Sequence, residues 1–143
     1  MKEPPYLFVY GTLRRDFGSS FSKEYANEME HVGVGTIYGQ LFDIGEYPGA
    51  IPGYDANSLI EGDVLKLKNA DEFIKILDEY ENFNPLNPVD SEYVRVRMKA
   101  RMSDGTTIDV WVYFYNKALN GKTRIEETNY LIYLKNKLRN SEV

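Results

Sequence analysis

The chain has 143 residues, of which 43% are hydrophobic and 14% aromatic, so it can bury the core of one compact domain. It has no cysteine and one histidine, which excludes a disulfide scaffold, a thiol nucleophile, a cysteine-bound metal and a cluster of histidine ligands. A formal net charge of −5 argues against nucleic acid as a partner, because surfaces that bind nucleic acid are normally basic.

The N-terminal segment predicts neither export nor membrane insertion. Residues 1–5 are polar, and the apolar run over 6–10 is too short for the hydrophobic part of a signal peptide. No stretch approaches the roughly 20 apolar residues that a membrane span needs. We therefore expect a soluble, cytoplasmic protein without a membrane partner.

The first half of the chain is predicted to be rich in strands. A continuous apolar run that ends at Gly11 is typical of a buried strand. Phe21, Tyr25 and Met29 then recur at the spacing of an amphipathic helix. The predicted elements are a strand over 6–10, a helix over 20–29 capped by Ser20, twisted and broken strands over 32–44, a glycine- and proline-rich loop over 45–53, and a strand over 59–67.

The second half is predicted to combine two helices with a hairpin. Asn69, with Glu72 three positions later, resembles a capping box, and Ser103-Asp104-Gly105 between two alternating runs predicts a hairpin turn. The predicted elements are a helix over 69–81, a proline-rich loop over 82–90, strands over 93–102 and 106–115, a turn at Asn120-Gly121, and a helix over 126–139. Strands this close in sequence do not form regular βαβ units, so we predict an α+β fold in one domain over 1–143.

Glu81 is a charged residue on the apolar side of a predicted helix. At about 100° per residue it falls between Leu77 and Ile74 on the apolar arc. Desolvation and the negative end of the helix dipole would both raise its pKa, and such a group can accept and donate a proton near neutral pH. The alternative is a solvated side chain at a fraying helix end. We interpret Asp78 and Glu79 as solvated charges.

The turn Gly11-Thr12-Leu13 follows the first strand directly. Glycine here permits a close backbone approach or a positive φ, and either would leave amide N–H groups available to an anion or a carbonyl oxygen. The segment has no G-x-G-x-x-G pattern, so it does not resemble a phosphate-binding loop. Arg14 and Arg15 are interpreted as solvated charges, with help to an anionic substrate as the alternative.

Two strand faces carry residues that could belong to a pocket. The strand over 93–102 places five residues on one face: Tyr93, Arg95, Arg97, Lys99 and Arg101. This face is either a solvated basic surface, or Tyr93 lies at a pocket with support from Arg95. Trp111, Tyr113 and Tyr115 share a face of the next strand and are interpreted as core or pocket wall. His31 is interpreted as a surface or capping residue.

Five motifs in a fixed order resemble the gamma-glutamylcyclotransferase-like superfamily, in its AIG2-like and gamma-glutamylamine cyclotransferase branch. They are the loop Y-G-[ST]-L within 7–14, the segments G-x-L-[YF] and Y-P-[AG] within 39–50, x-x-G-E-V over 60–64, L-D-x-[YF]-E over 77–81, and Y-x-R over 93–95. The resemblance covers about residues 6–116. One departure is Asn82, where family members often have glycine; asparagine also tolerates a left-handed, helix-ending conformation.

The resemblance implies a small, closed or nearly closed mixed β-barrel with flanking helices and a pocket at the barrel mouth. It implies that Glu81 is the general acid/base and that backbone N–H groups of Tyr10, Gly11, Thr12 and Leu13 bind substrate. Tyr93 is expected to face the same pocket. The implied reaction converts a γ-glutamyl amine or a related γ-glutamyl compound to 5-oxoproline and a free amine, through attack of the substrate's own α-amine.

Such a reaction is of the transferase or lyase type and needs no metal or cofactor. Its only expected partner is the small γ-glutamyl substrate, and the oligomeric state is left open. Two other functions remain as alternatives. One is a non-catalytic protein that binds a small carboxylate on the same fold, and the other is an interaction module that uses an exposed aromatic surface.

Overall fold

A computed structural model of the protein describes residues 4–15, 17–53 and 58–141. The strands are β1 (Tyr6–Val9), β2 (Met29–Asp43), β3 (Pro48–Pro52), β4 (Leu59–Leu67), β5 (Tyr93–Met102), β6 (Thr107–Tyr115) and β7 (Thr123–Ile125). The helices are α1 (Ser20–Glu24), α2 (Ala70–Tyr80) and α3 (Tyr130–Ser141), with short 3₁₀ turns at Ala26–Glu28 and Pro88–Asp90. The α-helices in these ranges are too short or too polar to span a bilayer.

Five strands close into a barrel in the order β2-β4-β1-β6-β5, and the β2–β5 pairing joins the two ends. The pair β1–β6 is parallel and the other pairs around the barrel are antiparallel, so the barrel is mixed. β3 and β7 both extend from β2 outside the closed ring. The predicted α+β fold with a closed mixed barrel and flanking helices is confirmed.

The alternation of side chains along β1 separates two apolar cores. Phe8 packs inside the barrel with residues of the four other barrel strands, such as Val64 and Val112. Leu7 points to the opposite face, where it packs beneath α2 with Phe73 and Leu77. The second core fixes α2 against the barrel wall, and the C-terminal end of α2 therefore reaches the same end of the barrel as the end of β1.

Three predictions near the N-terminus are wrong: the end of the first helix, its cap residue, and the interruption of the strands over 32–44. The first helix ends at Glu24 and continues as a 3₁₀ turn, and its cap is Ser19, whose side chain accepts a hydrogen bond from the Ser22 amide. The strands predicted as broken over 32–44 are one long strand with a bulge between His31 and Gly33. The bulge and the glycines let a single strand bend around the barrel, so no interruption is needed.

The remaining differences concern short strands and helix ends. The predicted loop over 45–53 contains β3, and β7 was not predicted at all; both add to β2 through backbone pairing that the sequence pattern does not record. Asn69 adopts a left-handed conformation with φ 49° and makes no side-chain cap hydrogen bond, so the capping-box prediction is wrong. The last helix begins at Tyr130 rather than at 126, because Asn129 caps it. The Asn129 side-chain oxygen accepts hydrogen bonds from the backbone amides of residues 131 and 132.

Candidate functional site

A cavity of about 690 Å³ opens at one end of the barrel, where β1 and α2 end and where β3 and β5 begin. Its walls come from the segment Val9 to Leu13, from residues 17–21 at the start of α1, and from residues around Tyr47, Glu81 and Tyr93. This size lies within the roughly 300–1,000 Å³ of small-molecule sites. All six predicted site residues, Tyr10, Gly11, Thr12, Leu13, Glu81 and Tyr93, line this one cavity.

The end of α2 determines where the Glu81 side chain lies. The Phe83 amide donates to the carbonyl of Asp78 at 2.8 Å and the Asn82 amide to that of Glu79 at 3.1 Å, which is the Schellman pattern of helix termination. Asn82 takes the left-handed position of this motif with φ 54°. The expectation that asparagine can replace glycine here is confirmed. Glu81 is thereby the C-cap residue at the cavity wall.

The carboxylate of Glu81 lies in an electrostatic environment that favours its neutral form. Burial raises its pKa from 4.5 to about 7, and the negative charge of Glu92 adds to this effect. Among the described residues, none donates a hydrogen bond to its side chain, and no basic side chain lines the cavity. A carboxyl group with a pKa of about 7 can exist in either protonation state near neutral pH.

The turn that starts at Gly11 faces the cavity with unused backbone amides. The Arg14 amide closes the turn on the Gly11 carbonyl at 3.0 Å, whereas the N–H groups of Gly11, Thr12 and Leu13 make no hydrogen bond within the described chain. Glycine is required by close approach rather than by a positive φ, since a Cβ at position 11 would lie 2.6 Å from the Cγ of Pro48. The turn thus offers donors to a bound anion or carbonyl oxygen.

Tyr10 and Tyr93, two tyrosines of the cavity wall, have hydroxyl groups that already make hydrogen bonds. The Tyr10 hydroxyl donates to the carbonyl of Tyr113 at 2.6 Å, and the Tyr93 hydroxyl donates to the carbonyl of Pro48 at 2.8 Å. Burial, with nearby negative charge including that of Glu81, raises the pKa of both hydroxyls far above the usual value. These side chains remain neutral and shape the wall.

Asp78 is buried and ion-paired, so its interpretation as a solvated charge is wrong. Its Oδ1 accepts hydrogen bonds from the Arg95 Nε at 2.9 Å and from the Tyr113 hydroxyl at 2.6 Å. Its Oδ2 accepts a hydrogen bond from a second Arg95 nitrogen at 3.3 Å. The Arg95 guanidinium also lies 4.4 Å from the centre of the Trp111 ring. These contacts tie the last turn of α2 to β5 and β6, directly behind Glu81.

Arg14 is likewise buried rather than solvated. Its guanidinium is 3.2 Å from Asp63 and 3.5 Å from Glu61, and the Arg15 amide donates to the same Asp63 carboxylate at 2.9 Å. Burial alone would raise the pKa of Asp63, but hydrogen bonds from Arg14, the Arg15 amide and His31 lower it below the usual value. His31 therefore contacts this ion pair from within β2 and is not a helix cap.

Two residues of the cavity wall escaped the sequence reasoning as site residues, Tyr47 and Glu92, and the exposed Glu46 lies at the rim. The Glu92 carboxylate accepts hydrogen bonds from the Tyr47 hydroxyl at 2.5 Å and from the Asn82 side chain at 3.0 Å. The hydrogen bond to Glu92 is the main reason that the pKa of Tyr47 is raised to about 12. Tyr47 belongs to the Y-P-[AG] motif, and Glu92 ends the loop between the L-D-x-[YF]-E and Y-x-R motifs, so the positions of the motifs were the signals that could have indicated both residues.

The described residues contain no group of three or more histidine, aspartate or glutamate side chains arranged to hold a metal ion. The cavity offers one carboxyl group with a pKa of about 7, the backbone N–H groups of the turn at Gly11, and the carboxylate of Glu92. Glu46 and the hydroxyl groups of Thr12, Ser19 and Ser20 line it as well. This set can move a proton and bind anionic oxygens.

A closed mixed barrel with a sheltered carboxyl group in an end cavity defines a class of small pocket-bearing barrel proteins. A sequence model of the family described as "Gamma-glutamyl cyclotransferase, AIG2-like" matches residues 7–132, and the chain belongs to this family. A gamma-glutamylcyclotransferase family protein, YtfP, of Citrobacter rodentium is 29% identical over 125 residues, which cover 87% of this chain and 94% of the relative. The YtfP of Escherichia coli K12 is 27% identical over 125 residues, with 87% and 95% covered.

Solved structures agree with the fold. The solution structure of YtfP from Escherichia coli is similar with a TM-score of 0.61 and 28% identity, over 88% of this chain and 96% of that one. The crystal structure of an AIG2-like protein from Mus musculus has a TM-score of 0.66 at 18% identity, with 88% of each chain covered. The recognition of the family from its five motifs is confirmed.

Proposed function

We propose that this chain converts a γ-glutamyl amine to 5-oxoproline and the free amine, with Glu81 as general acid/base. Membership of the cyclotransferase family supports the type of reaction. The observation that carries the role of Glu81 is its unpartnered carboxyl group, which lies in the wall of the cavity with a pKa of about 7.

The reaction exchanges one C–N bond for another within the substrate. The α-ammonium group gives a proton to the Glu81 carboxylate, and the resulting amine attacks the γ-carbonyl carbon of the same molecule. The bond from that carbon to the leaving nitrogen then breaks as Glu81 returns the proton to this nitrogen. The ring nitrogen gives its remaining extra proton to the regenerated Glu81 carboxylate, and this proton passes to the released amine, which leaves as an ammonium ion. The α-ammonium group is a weaker acid than any carboxyl group, and a Glu81 pKa of about 7 rather than 4.5 narrows this gap, so the carboxylate accepts the proton more readily than an ordinary glutamate would.

The remaining groups of the cavity have positioning tasks in this scheme. The N–H groups of Gly11, Thr12 and Leu13 bind the anionic oxygens of the substrate. Tyr10 and Tyr93 form a neutral wall that holds the glutamyl chain in the folded shape that ring closure needs. No other nucleophile is required, because the substrate supplies its own.

The test compares Glu81→Gln with Glu79→Gln, a matched change of an exposed residue two positions earlier. γ-Glutamyl amines, γ-glutamyl dipeptides and ε-(γ-glutamyl)-lysine are screened for release of 5-oxoproline. We expect Glu81→Gln to lower kcat by about 10²–10⁴-fold with ligand affinity retained, and Glu79→Gln to behave as the wild type. Turnover that survives in Glu81→Gln would remove the acid/base role. Binding of small carboxylates without any turnover of these compounds by the wild type would favour the non-catalytic alternative.

A further inference from the structure

Among the described residues, the charged side chains that line the cavity are all acidic. Glu81, Glu92 and Glu46 line it, and no lysine, arginine or histidine does. The arginines within the site motifs, Arg14 and Arg95, do not line the cavity and are each paired with a carboxylate, whereas Arg15 is exposed to solvent outside the cavity wall. Arg14 pairs with Asp63, and Arg95 pairs with Asp78. The cavity therefore keeps an excess of negative charge that no side chain of its wall balances.

Glu92 is the acidic group best placed to act on a ligand. Both of its carboxylate oxygens are held by neutral donors, the Tyr47 hydroxyl and the Asn82 amide group, at 2.5 and 3.0 Å. These bonds fix the carboxylate without cancelling its charge. Glu46 differs because it is exposed at the rim, where water screens its charge.

The size of the cavity leaves room for more than a glutamyl group. A volume of about 690 Å³ corresponds to about 20 water molecules at about 30 Å³ each. A γ-glutamyl group has fewer than half that number of non-hydrogen atoms. The cavity therefore has room for the amine that the reaction releases, and both Glu92 and Tyr47 belong to its wall.

Resting on the proposed function, we propose that the preferred substrates are γ-glutamyl derivatives of diamines or polyamines, with Glu92 receiving the second, distal ammonium group of the amine. The α-ammonium group that every γ-glutamyl compound carries is used at Glu81, so a second, distal cation would balance the charge of Glu92 and would bind a carboxylate that is already oriented. A neutral alkylamine of the same length fills the space but leaves Glu92 without a cation. An amine that ends in a carboxylate is repelled by Glu92.

The test uses mono-γ-glutamyl-1,4-diaminobutane, γ-glutamyl-butylamine and the γ-glutamyl derivative of 4-aminobutyrate, which share chain length and differ in distal charge. We expect kcat/KM for the diamine derivative to exceed that for the butylamine derivative about tenfold, as one charge-assisted hydrogen bond would give, and the carboxylate derivative to be slowest. Glu92→Gln should bring the ratio of the first two to about one. Glu46→Gln, the matched control at the rim, should change that ratio less than twofold.

Each outcome separates the two proposals. A wild-type ratio near one, or a ratio that Glu92→Gln leaves intact, overturns the inference while 5-oxoproline release upholds the proposed function. An equal loss for all three compounds in Glu92→Gln also overturns it, because Glu92 would then serve the glutamyl part that they share. If none of the three releases 5-oxoproline, the proposed function fails, and calorimetric affinities of the wild type for the same compounds still show whether the cavity prefers the cation.

Discussion

The substitution Glu81→Gln is predicted to stabilise the folded protein at alkaline pH. The folded state raises the pKa of this carboxyl group from 4.5 to about 7, so between these two pH values the folded chain binds more protons than the unfolded chain. The stability of the wild type therefore falls as the pH rises through this window. Glutamine is nearly isosteric and stays neutral, and the variant avoids the loss.

The magnitude follows from the two pKa values. The interval from 4.5 to about 7, at about 1.4 kcal/mol per pH unit, gives an upper estimate of about 3 kcal/mol. Below pH 4.5 both states of the wild type carry the protonated group, and the variant should have the same free energy of unfolding as the wild type within about 0.5 kcal/mol. At pH 8 the variant should be the more stable protein by up to about 3 kcal/mol.

Urea unfolding of wild type, Glu81→Gln and the exposed control Glu79→Gln, at a series of pH values from 4 to 8, measures these differences. Subtraction of the variant curve from the wild-type curve removes the titration of the shared groups that do not interact with Glu81, and leaves that of Glu81 together with its coupling to Glu92. The control should show no pH-dependent difference from the wild type. A difference between wild type and Glu81→Gln that stays constant from pH 4 to pH 8 would refute the argument, because it would mean that Glu81 titrates equally in both states.

Two further predictions concern the residues that support the site. Asp78→Asn should lower the free energy of unfolding by about 3 kcal/mol, because it leaves the half-buried guanidinium of Arg95 without its counterion. Urea titrations measure this loss, and an effect below about 0.5 kcal/mol would contradict the role of the pair. Gly11→Ala should lower the free energy of unfolding by about 1–3 kcal/mol and slow the release of 5-oxoproline. The reason is that the new Cβ would lie 2.6 Å from the Cγ of Pro48 and displace the amide turn. Unchanged unfolding and unchanged turnover would show that Pro48 can move aside.

The sequence was sufficient where local patterns determine structure. The hairpin of β5 and β6 follows from clean alternation around an Asp-Gly turn, and β5 is found with the predicted bounds of 93–102. The helical period places Glu81 on the side of α2 that packs against the barrel. This side is the apolar arc, which makes its contacts through Phe73 and Leu77. These features depend on residues that are near one another in the chain.

The wrong interpretations share a non-local cause. Asp78 lies at the edge of the apolar arc, and its burial depends on Arg95, which β5 brings to it from 17 positions away. Arg14 follows a turn, and its burial depends on Asp63, which the β1–β4 pairing places beside it. A helical period or a turn motif contains no information about such a partner.

β3 was missed for a different reason. Its residues Pro48 to Pro52 include two prolines and a glycine, a composition that favours a loop. The segment forms a strand because it adds to β2 outside the closed ring, where prolines are tolerated at strand ends and edges. A short edge strand of this kind forms because the neighbouring strand offers free backbone hydrogen-bond donors and acceptors. The pattern of side chains in the sequence does not indicate where such donors and acceptors lie.

The two buried ion pairs and the acidity of the cavity have one physical explanation. Asp63 holds the guanidinium of Arg14 behind the amide turn, and Asp78 holds that of Arg95 behind the end of α2. Each pair fixes a wall of the cavity and at the same time withdraws a positive charge that would otherwise lower the pKa of Glu81. Burial is the main cause of the raised pKa of Glu81, and the scaffold that positions the site preserves it by keeping both arginines paired with other carboxylates.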